Sequence, residues 1–575
     1  MKILGISLGH DSSFSLIEDG KIIEIMEVER YFRSKRYKLS ALKLSTGKYK
    51  STYQYVDLEE LVLFLARVGE KWGKNFDCLA VQNQGRMEEY HNLNTVLDDL
   101  GFKFKQRFNV NHHLSHASLA FYTSPFSDAL VLSYDGAGND GYTLLFKGSK
   151  EGINYYRSST VRFGQCYNNL GFILGIHPDI SGSTAGKTMG LAAYGKVWND
   201  WLPYTIKHIK KYRKYPSKPV EGLNDHGRGH IINSAGLNNI PDLQDYLEND
   251  EEGNAQKLRI YSIETKIAHD LARTFQFGWA QEVIALLRKH RNVSDNLCVV
   301  GGCALNGITN YEIQKDGLFK NTHFVPNASD CGLSAGAALY VYYNKFKENK
   351  FSGYGGYLSP YLGEEAYDKA SLPEIKSLYP HMELHPDNTA KFLAGLLYND
   401  FIIGVVRGRY EIGPRALGNR SILCNPLNPC MRDILNQKVK HREWYRPFAP
   451  IATSEDAKNY FTNTVDIPYM SVICHTRPEY RELLPSITHV DGSARLQTIR
   501  REHNPFAWEL LKAFQKLSGF PILLNTSFNP GGEPILNYYK VALEMLEKTK
   551  LDMVLIEDNL FVAPSRKNLL KECLC

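Results

Sequence analysis

Two histidines four positions apart are the first residues in this chain whose types and spacing suggest chemistry. The segment 111–117 reads Asn-His-His-Leu-Ser-His-Ala and carries His112 and His116. On an α-helix such a pair shares one face, so both imidazoles can reach one metal ion. Histidines with this spacing more often cap or pack a helix, so a metal site requires further ligands.

Two aspartates are candidates for those ligands. Asp135 lies in a glycine-rich loop after a predicted strand, and Asp330 opens a predicted helix. Aspartates in such places are more commonly turn or N-cap residues. Combined with His112 and His116, they would form a mixed nitrogen and oxygen site suited to Fe²⁺, with Mn²⁺ or Zn²⁺ as alternatives. Such an ion can bind phosphate oxygens and polarise a carbonyl group.

Several glycine-rich segments could bring backbone N–H groups close to an anion. They include 5–13, 186–190 and the Gly-Gly pair that follows a predicted buried strand. Each alone indicates only a turn, and 186–188 lacks the glycine spacing of a P-loop. Occurring together with a candidate metal site, they favour nucleotide binding, for which the candidate residues are Gly136, Gly301, Gly302 and Asn306.

Arginines cluster at short spacing in the C-terminal third of the chain. The segment 404–421 contains Arg407, Arg409, Arg415 and Arg420 among glycines, and 440–450 adds further cations. At an effective dielectric near 20, one charge pair about 4 Å apart contributes only about 4 kcal/mol before desolvation. A triphosphate site therefore needs several cations, and arginine suits it best. A solvated basic face is the alternative, but these arginines lie among Gly, Pro, Phe and Trp.

Composition places the chain among packed globular proteins. It has 575 residues, 43% hydrophobic and 23% charged, and a net charge of +6. The sequence contains no apolar run near the roughly 18 residues of a spanning helix, so we expect a cytoplasmic protein without membrane contact. The ten cysteines form no Cys-x-x-Cys pair, which argues against a disulfide or structural zinc framework.

Two similar strand–loop–strand units predict a duplicated α/β architecture. The first covers 2–26, with Asp19-Gly20 as a hairpin turn, and the second covers 130–146. We expect helices over 264–288 and 330–344, and a strand at 401–406. The predicted organisation is a first domain over 1–350, a linker over 351–385 and a second domain over 386–575.

Seven motifs give the chain a resemblance to a known family over nearly its whole length. They are Gly-His-Asp-Ser-Ser (9–13), Asn-His-His-Leu-Ser-His-Ala (111–117), Lys-Thr-Met-Gly-Leu-Ala-Ala-Tyr-Gly (187–195), Gly-Gly-Cys-Ala-Leu-Asn (301–306), Gly-Pro-Arg-Ala-Leu-Gly-Asn-Arg-Ser (413–421), Arg-Glu-Trp-Tyr-Arg-Pro-Phe-Ala-Pro (442–450) and Asn-Thr-Ser-Phe-Asn (525–529). The chain resembles the O-carbamoyltransferases that include nodulation-factor enzymes and the tobramycin and hydroxymethylcephem carbamoyltransferases. The motifs at 413–421 and 446–450 are together highly specific.

The resemblance implies two α/β catalytic domains. The first would have an actin-like ATPase fold, as in threonylcarbamoyl transferases, with His112, His116, Asp135 and Asp330 as metal ligands. The second would resemble YrdC, whose Lys-x-Arg and Ser-x-Asn signature matches 440–442 and 527–529. It implies nucleotide contacts from Lys440, Arg442, Arg446, Ser527 and Asn529, and carbamoyl phosphate contacts from Arg415 and Arg420.

The implied chemistry begins with carbamoyl phosphate and ATP, the latter with Mg²⁺. The second domain would form carbamoyladenylate, and the first would pass its carbamoyl group to an acceptor hydroxyl. Developing negative charge on oxygen favours fixed cations and N–H donors. We expect His10, Asp11 and Lys187 to take part in catalysis. His10 is a candidate general base by its type and location only, and phosphate contact or loop ordering is as plausible.

Two basic stretches with interleaved aromatics depart from the family pattern. Residues 30–50 hold eight Lys or Arg and no acid, and 201–219 hold six and no acid. Such stretches could bind DNA through phosphates and bases, or simply form a Lys-rich surface. The leading acceptor is accordingly a hydroxymethylated pyrimidine in DNA, as for phage relatives acting on hydroxymethylcytosine. A small natural-product alcohol is the alternative.

Other functions remain open from sequence alone. An actin-fold sugar kinase would share the first domain, but it would release ADP and would not explain the C-terminal motifs. A nucleic-acid-binding module would leave the candidate metal ligands and the arginines without a role. Threonylcarbamoylation of tRNA would use the same chemistry, but the most specific motifs are those of the O-carbamoyltransferases.

Overall fold

The computed structural model describes residues 1–39, 58–82, 87–178, 182–212, 236–249, 256–260, 262–346, 349, 351, 353–355, 357–462 and 466–569. The chain forms two compact units. The first comprises Met1–Glu29 and Lys35–Leu358, and the second comprises Arg30–Ser34 and Ser359–Cys575. The boundary at Leu358 falls inside the segment 351–385 that was expected to link two domains.

The first unit contains twelve strands among its described residues. They are β1 (Lys2–Ser7), β2 (Ser13–Glu18), β3 (Lys21–Glu27), β4 (Asn75–Gln82), β5 (Lys103–Val110), β6 (Ala129–Gly138), β7 (Gly141–Ser149), β8 (Gly152–Ser158), β9 (Leu247–Asn249), β10 (Gln256–Leu258), β11 (Asn296–Val300) and β12 (Asn321–Phe324).

Its helices follow in chain order, the first of them crossing into the second unit at Arg30. They are α1 (Val28–Phe32), α2 (Leu58–Trp72), α3 (Met87–Asp99), α4 (His112–Tyr122), α5 (Phe163–Ile173), α6 (Ala185–Leu191), α7 (Leu202–Lys211), α8 (Lys266–Arg288), α9 (Gly307–Asp316) and α10 (Leu333–Tyr340). Single 3₁₀ turns at Gly302–Leu305 and Asp330–Gly332 precede α9 and α10, and a π turn at Val341–Lys345 extends α10.

The same sheet topology occurs twice in this unit. One sheet has the order β3-β2-β1-β4-β5, and the other has the order β8-β7-β6-β11-β12. In each, three strands form an antiparallel meander and two further strands add in parallel to its first strand. This repetition confirms the predicted duplicated α/β architecture and is the arrangement expected of an actin-like fold.

The second unit is built on one mixed eight-stranded sheet. The described residues of this unit form ten strands, eight in that sheet and two in a separate pair. They are β13 (His381–Glu383), β14 (Ile403–Val406), β15 (Arg420–Cys424), β16 (Ala449–Thr453), β17 (Cys474–His475), β18 (Ser493–Ala494), β19 (Gln497–Ile499), β20 (Ile522–Ser527), β21 (Met553–Ile556) and β22 (Asn559–Phe561). The sheet order is β13-β22-β21-β14-β15-β20-β16-β19, and β17 pairs separately with β18.

Helices pack on both faces of that sheet. They are α11 (Leu372–Leu378), α12 (Pro386–Tyr398), α13 (Met431–Ile434), α14 (Ser454–Tyr460), α15 (Pro505–Ser518) and α16 (Tyr539–Lys548). Alternating strand residues supply two separate cores, so Leu423 packs with α12 and α15 while its neighbour Ile422 packs with α16 on the other face. This alternation follows from the two-residue period of a strand, and the unit is a three-layer α/β structure.

Candidate functional site: a histidine–aspartate group and an arginine group

The first unit brings the four predicted metal ligands together. One ligand atom from each of His112, His116, Asp135 and Asp330 lies within 4.8 Å of the others. Nε2 of His116 is 3.2 Å from Oδ2 of Asp135 and 3.4 Å from Oδ1 of Asp330. Nε2 of His112 lies 3.9 Å and 3.8 Å from the same two oxygens.

Both histidines lie on helix α4. Side chains from the loop between β6 and β7 fix the N-terminal end of this helix. The backbone N–H of His112 donates to Oδ1 of Asn139 at 2.9 Å, and that of His113 donates to Asp140 at 3.0 Å. These acceptors satisfy N–H groups that have no partner within the helix. His116 then follows one turn later on the same face, as the four-residue spacing predicted.

Two glycines in the first unit allow the ligands to approach. A Cβ added at Gly138 would lie 2.7 Å from the imidazole of His112. On α10, which follows Asp330, a Cβ at Gly336 would lie 1.9 Å from the carbonyl oxygen of Ser115 in α4. The absence of these side chains therefore lets α10 pack closely on α4, which brings Asp330 to the histidines.

The glycines expected to bind nucleotide instead hold Asp135. Its Oδ1 accepts from the N–H of Gly136 at 2.5 Å, and its Oδ2 accepts from the N–H of Gly302 at 2.7 Å. Gly301, with φ of +94°, passes so close to β6 that a Cβ would lie 2.2 Å from the carbonyl of Tyr134. In this structure these glycines position a candidate metal ligand.

Asn306 has a structural role in the same turn. Its Oδ1 caps α9 by accepting from the N–H of Thr309 at 3.1 Å, and its Nδ2 donates to Gln276 at 3.0 Å. The side chain is largely buried. Its donor and its acceptor both serve the fold, and the side chain acts as the N-cap of α9.

The electrostatics of the histidine–aspartate group suit a cation. Burial opposes ionisation of Asp135, but the close approach of His112 and His116 outweighs it and holds the pKa of this carboxyl well below its usual range. Burial lowers the pKa of His116, yet Asp135 and Asp330 raise it to about 9. Two ionised carboxylates thus face two imidazoles in a buried space.

The residues present fit a divalent metal ion. Both ring nitrogens of His112 and of His116 are buried and make no aligned hydrogen bond within the described part of the chain. Buried polar atoms normally have partners. Two imidazoles and two carboxylates form a donor set appropriate to Fe²⁺, Mn²⁺ or Zn²⁺.

His10 and Asp11 lie at the edge of this group. Nδ1 of His10 is 2.8 Å from Oδ2 of Asp11 and 3.4 Å from Oδ2 of Asp330. Arg36 donates from Nε to the same oxygen of Asp11 at 3.2 Å. The His10 side chain is 36% exposed, so a second molecule can reach it. Lys187, in α6, donates to the carbonyl of His177 at 3.0 Å.

The second unit carries a group of four arginines, one of which the sequence analysis missed. Burial and Arg446 together lower the pKa of Arg415 to about 10 and that of Arg442 to about 9. Burial and the charges of Arg415 and Arg446 likewise lower the pKa of Arg495. These half-buried cations repel one another, and Glu443, which pairs with Arg446 at 3.5 Å, offsets part of that repulsion, so a bound anion would stabilise the group further. Arg495 lies 45 residues after the end of the motif at 442–450 and before the one at 525–529, and no local pattern marked it.

Arg420 does not belong to this group. It is fully buried, and its five N–H donors contact the carbonyls of Arg407, Gly408 and Asn419 and the side-chain oxygen of Asn537. These bonds give Arg420 a structural role, and a phosphate would have to displace them in order to bind its guanidinium.

The Lys-x-Arg and Ser-x-Asn motifs lie together in the second unit. Nζ of Lys440 donates to the carbonyl of Ser527 at 2.6 Å, and to the carbonyl and Oδ1 of Asn529 at 3.0 and 2.7 Å. Ser527 also donates to Oδ1 of Asn529 at 2.7 Å. Arg442 stacks on Phe448 and donates to Asn436 at 2.8 Å. Lys440 thus fixes the turn after β20.

The described parts of the two basic stretches are largely engaged within the protein. Arg30 is buried, Arg33 pairs with Glu533 at 3.0 Å and Arg36 pairs with Asp11. In the second stretch Lys210 pairs with Glu282 at 3.1 Å. Residues 40–50 and 213–219 lie outside the described residues. No described helix is long and apolar enough to cross a membrane.

Comparison with known proteins defines the class. The family model "Carbamoyltransferase N-terminus" matches residues 46–339, and "Carbamoyltransferase C-terminus" matches residues 394–563. The chain therefore belongs to the carbamoyltransferase family and is an enzyme that transfers carbamoyl groups.

Individual proteins are also similar to this chain over most of its length. Nodulation protein NolO of Bradyrhizobium diazoefficiens is 34% identical over 78% of each chain. Nodulation protein U of Rhizobium tropici is 28% identical over 98% of this chain and 96% of the relative. Among solved structures, full-length HypF is similar at 11% identity and a TM-score of 0.31, covering 59% of this chain and 46% of HypF, which is too low to support an argument.

Proposed function

We propose that this enzyme is an ATP-dependent O-carbamoyltransferase that works through carbamoyladenylate. The observation behind this proposal is that one chain carries two separate chemical groups, four arginines in the second unit and two histidines with two aspartates in the first. The first group suits phosphate-rich substrates, and the second suits a metal-assisted transfer. Simple carbamoyl transfer from carbamoyl phosphate would need only one such site.

The reaction would begin in the second unit. Carbamoyl phosphate loses phosphate by hydrolysis to give carbamate, whose oxygen attacks the α-phosphorus of ATP, and pyrophosphate leaves. Arg415, Arg442, Arg446 and Arg495 would bind the phosphate groups, with Ser527 and Asn529 held in place by Lys440. Guanidinium groups suit this role because they remain charged and bind phosphate through two parallel N–H donors. ATP would bring Mg²⁺.

Transfer would follow in the first unit. The acceptor hydroxyl oxygen attacks the carbamoyl carbon, the bond to the phosphate oxygen breaks, and AMP leaves. His10 would accept the hydroxyl proton, since Asp11 and Asp330 orient its ring. His112, His116, Asp135 and Asp330 would hold a divalent cation, with Fe²⁺ favoured. When bound, that ion would neutralise phosphate charge and polarise the carbamoyl carbonyl. Lys187 remains a candidate for phosphate contact, and these substrates imply a cytoplasmic location.

The acceptor we propose is the hydroxyl of a small polyol or natural product. This choice is supported by Arg30, Arg33 and Arg36, which contact protein groups and so are partly occupied within the protein. A hydroxymethylated pyrimidine in DNA stays the competing acceptor. Labelled carbamoyl phosphate offered with hydroxymethylcytosine DNA and, separately, with a panel of sugars and aminocyclitols would distinguish the two. Label retained on DNA would overturn the small-molecule choice.

The test of the two-step chemistry separates AMP from ADP. With ATP, carbamoyl phosphate and Fe²⁺ but no acceptor, we expect pyrophosphate that depends on carbamoyl phosphate, and AMP as water hydrolyses the carbamoyladenylate. Arg446→Met should abolish pyrophosphate formation, and His116→Ala should keep pyrophosphate formation while losing carbamoyl transfer. Arg500→Met is the matched control, because Arg500 is a half-exposed arginine of the same unit paired with Asp466 at 2.7 Å. ADP as the product would favour a sugar kinase.

A further inference from the structure

Five residues near the N-terminus belong to the second unit although the chain on either side belongs to the first. This segment, Arg30–Ser34, leaves the first unit after Glu29 and returns to it at Lys35. We call it the strap. It ties into the second unit at three places: Arg30, the carbonyl of Tyr31, which accepts from Tyr538 at 2.9 Å, and Arg33, which pairs with Glu533.

Arg30 is the most deeply buried part of the strap. Only 1% of this residue is exposed. Its Nη2 donates to the carbonyl of Glu411 at 2.7 Å and to that of Gly413 at 2.9 Å, and its guanidinium lies 4.4 Å from the ring centroid of Tyr410. Burying a cation costs free energy unless hydrogen bonds and a cation–π contact offset it. The contacts of Arg30 with this loop supply that compensation and hold the strap and the loop together.

The loop that Arg30 holds carries one of the four arginines. It runs from Glu411 to Arg420, with Gly413 at φ of +93° and Arg415 two residues later. Inside the loop, Oε1 of Glu411 accepts from the N–H groups of Leu417 at 2.5 Å and Arg420 at 3.2 Å. Those bonds fix the C-terminal half of the loop. Arg30 instead binds the carbonyls of Glu411 and Gly413, on the N-terminal side of Arg415.

We propose that Arg30 is a positioning residue for the carbamoyl phosphate site. Arg30 fixes the backbone at Glu411 and Gly413. The position of that backbone in turn determines the direction in which the Arg415 side chain points. The adenylating unit therefore depends on Arg30, a residue supplied from the N-terminal part of the chain. This inference rests on the proposed function, since it assumes that the four arginines bind the phosphate groups.

The test measures carbamoyl-phosphate-dependent AMP formation by the full-length enzyme. Arg30→Met keeps much of the side-chain volume but removes the donors, and Arg30→Lys keeps a charge and donors. We expect Arg30→Met to raise KM for carbamoyl phosphate by about tenfold or more with a smaller change in kcat, because small misplacements of binding groups are costly. Arg30→Lys should recover part of that loss. Should Arg30→Met fail to fold, Arg30→Gln, which retains an N–H₂ donor, replaces it.

Arg33→Met is the matched control, since Arg33 is the next arginine of the strap and is 37% exposed in its pair with Glu533. It should leave KM within twofold. A variant at Arg30 that lowers kcat with KM unchanged would show a merely structural role and overturn the proposal, as would unchanged kinetics. Wild-type enzyme that makes no AMP would instead refute the proposed function, which keeps the two failures distinct.

Discussion

A single backbone N–H group shows how residue-scale geometry shapes the candidate metal site. Gly302 donates to Oδ2 of Asp135, and a Cβ at this position would lie 3.0 Å from Oδ1 of the same carboxylate. Groups that orient metal ligands commonly change metal affinity by 10- to 100-fold when altered. The glycine suits this position because its lack of a side chain leaves room for the carboxylate that its N–H binds.

Replacing Gly302 should therefore weaken metal binding. We expect Gly302→Val to lower the affinity for Fe²⁺ or Mn²⁺ by roughly 10- to 100-fold, because its side chain must push Asp135 away from His116. Competition with a chromophoric chelator measures this affinity without reference to activity. Gly395→Ala is the control, since a Cβ there meets nothing within 4 Å. Unchanged affinity in Gly302→Val would show that Asp135 is not a ligand.

At the scale of elements, the β14–β15 hairpin depends on Arg420 at the start of β15. All five donors of its guanidinium bind groups within the second unit. Arg420→Met should lower the free energy of unfolding of this unit by about 3 kcal/mol, because buried acceptors lose a charged donor. Urea titration followed by fluorescence would measure the loss. Arg446→Met, at a half-exposed site, should unfold nearly as wild type. A stable Arg420→Met protein with a raised KM for carbamoyl phosphate would restore the phosphate role.

Local periodicity and turn chemistry predicted most of the elements that position the site. The hairpin around Asp19-Gly20, the helix carrying His112 and the strand before Gly301 all form where the sequence placed them. Local pattern could not distinguish Arg415 from Arg420, five residues apart in one motif. Their difference depends on which distant backbone carbonyls surround each guanidinium. Arg495 was missed for the same reason, since only the folded chain brings it into the influence of Arg415 and Arg446.

At the scale of the whole molecule, acid stability should depend on histidines remote from the metal ligands. His208, in α7, and His323, in β12, are both buried, and burial lowers the pKa of each to about 4. An unfolded histidine has a pKa near 6.5. Below pH 6.5 the unfolded chain therefore binds protons that the folded chain excludes, and this stability is lost progressively as the pH falls towards 4.

The expected size of this effect is about 1.4 kcal/mol per pH unit for each histidine below pH 6. Unfolding free energies from urea titrations between pH 4.5 and 6.5, with chelator present, would measure the slope. The double variant His208→Leu with His323→Leu should take up about two fewer protons on unfolding than the wild type, and each single variant about one fewer. The slope of the unfolding free energy against pH should fall in proportion. His116, whose pKa is raised in the folded chain, contributes to the slope near pH 6.5 but little at the acid end of this range, where it is protonated in both the folded and the unfolded chain. A double variant with the wild-type slope would mean that both imidazoles accept protons while folded, so that burial in the first unit opens to water before the unit unfolds.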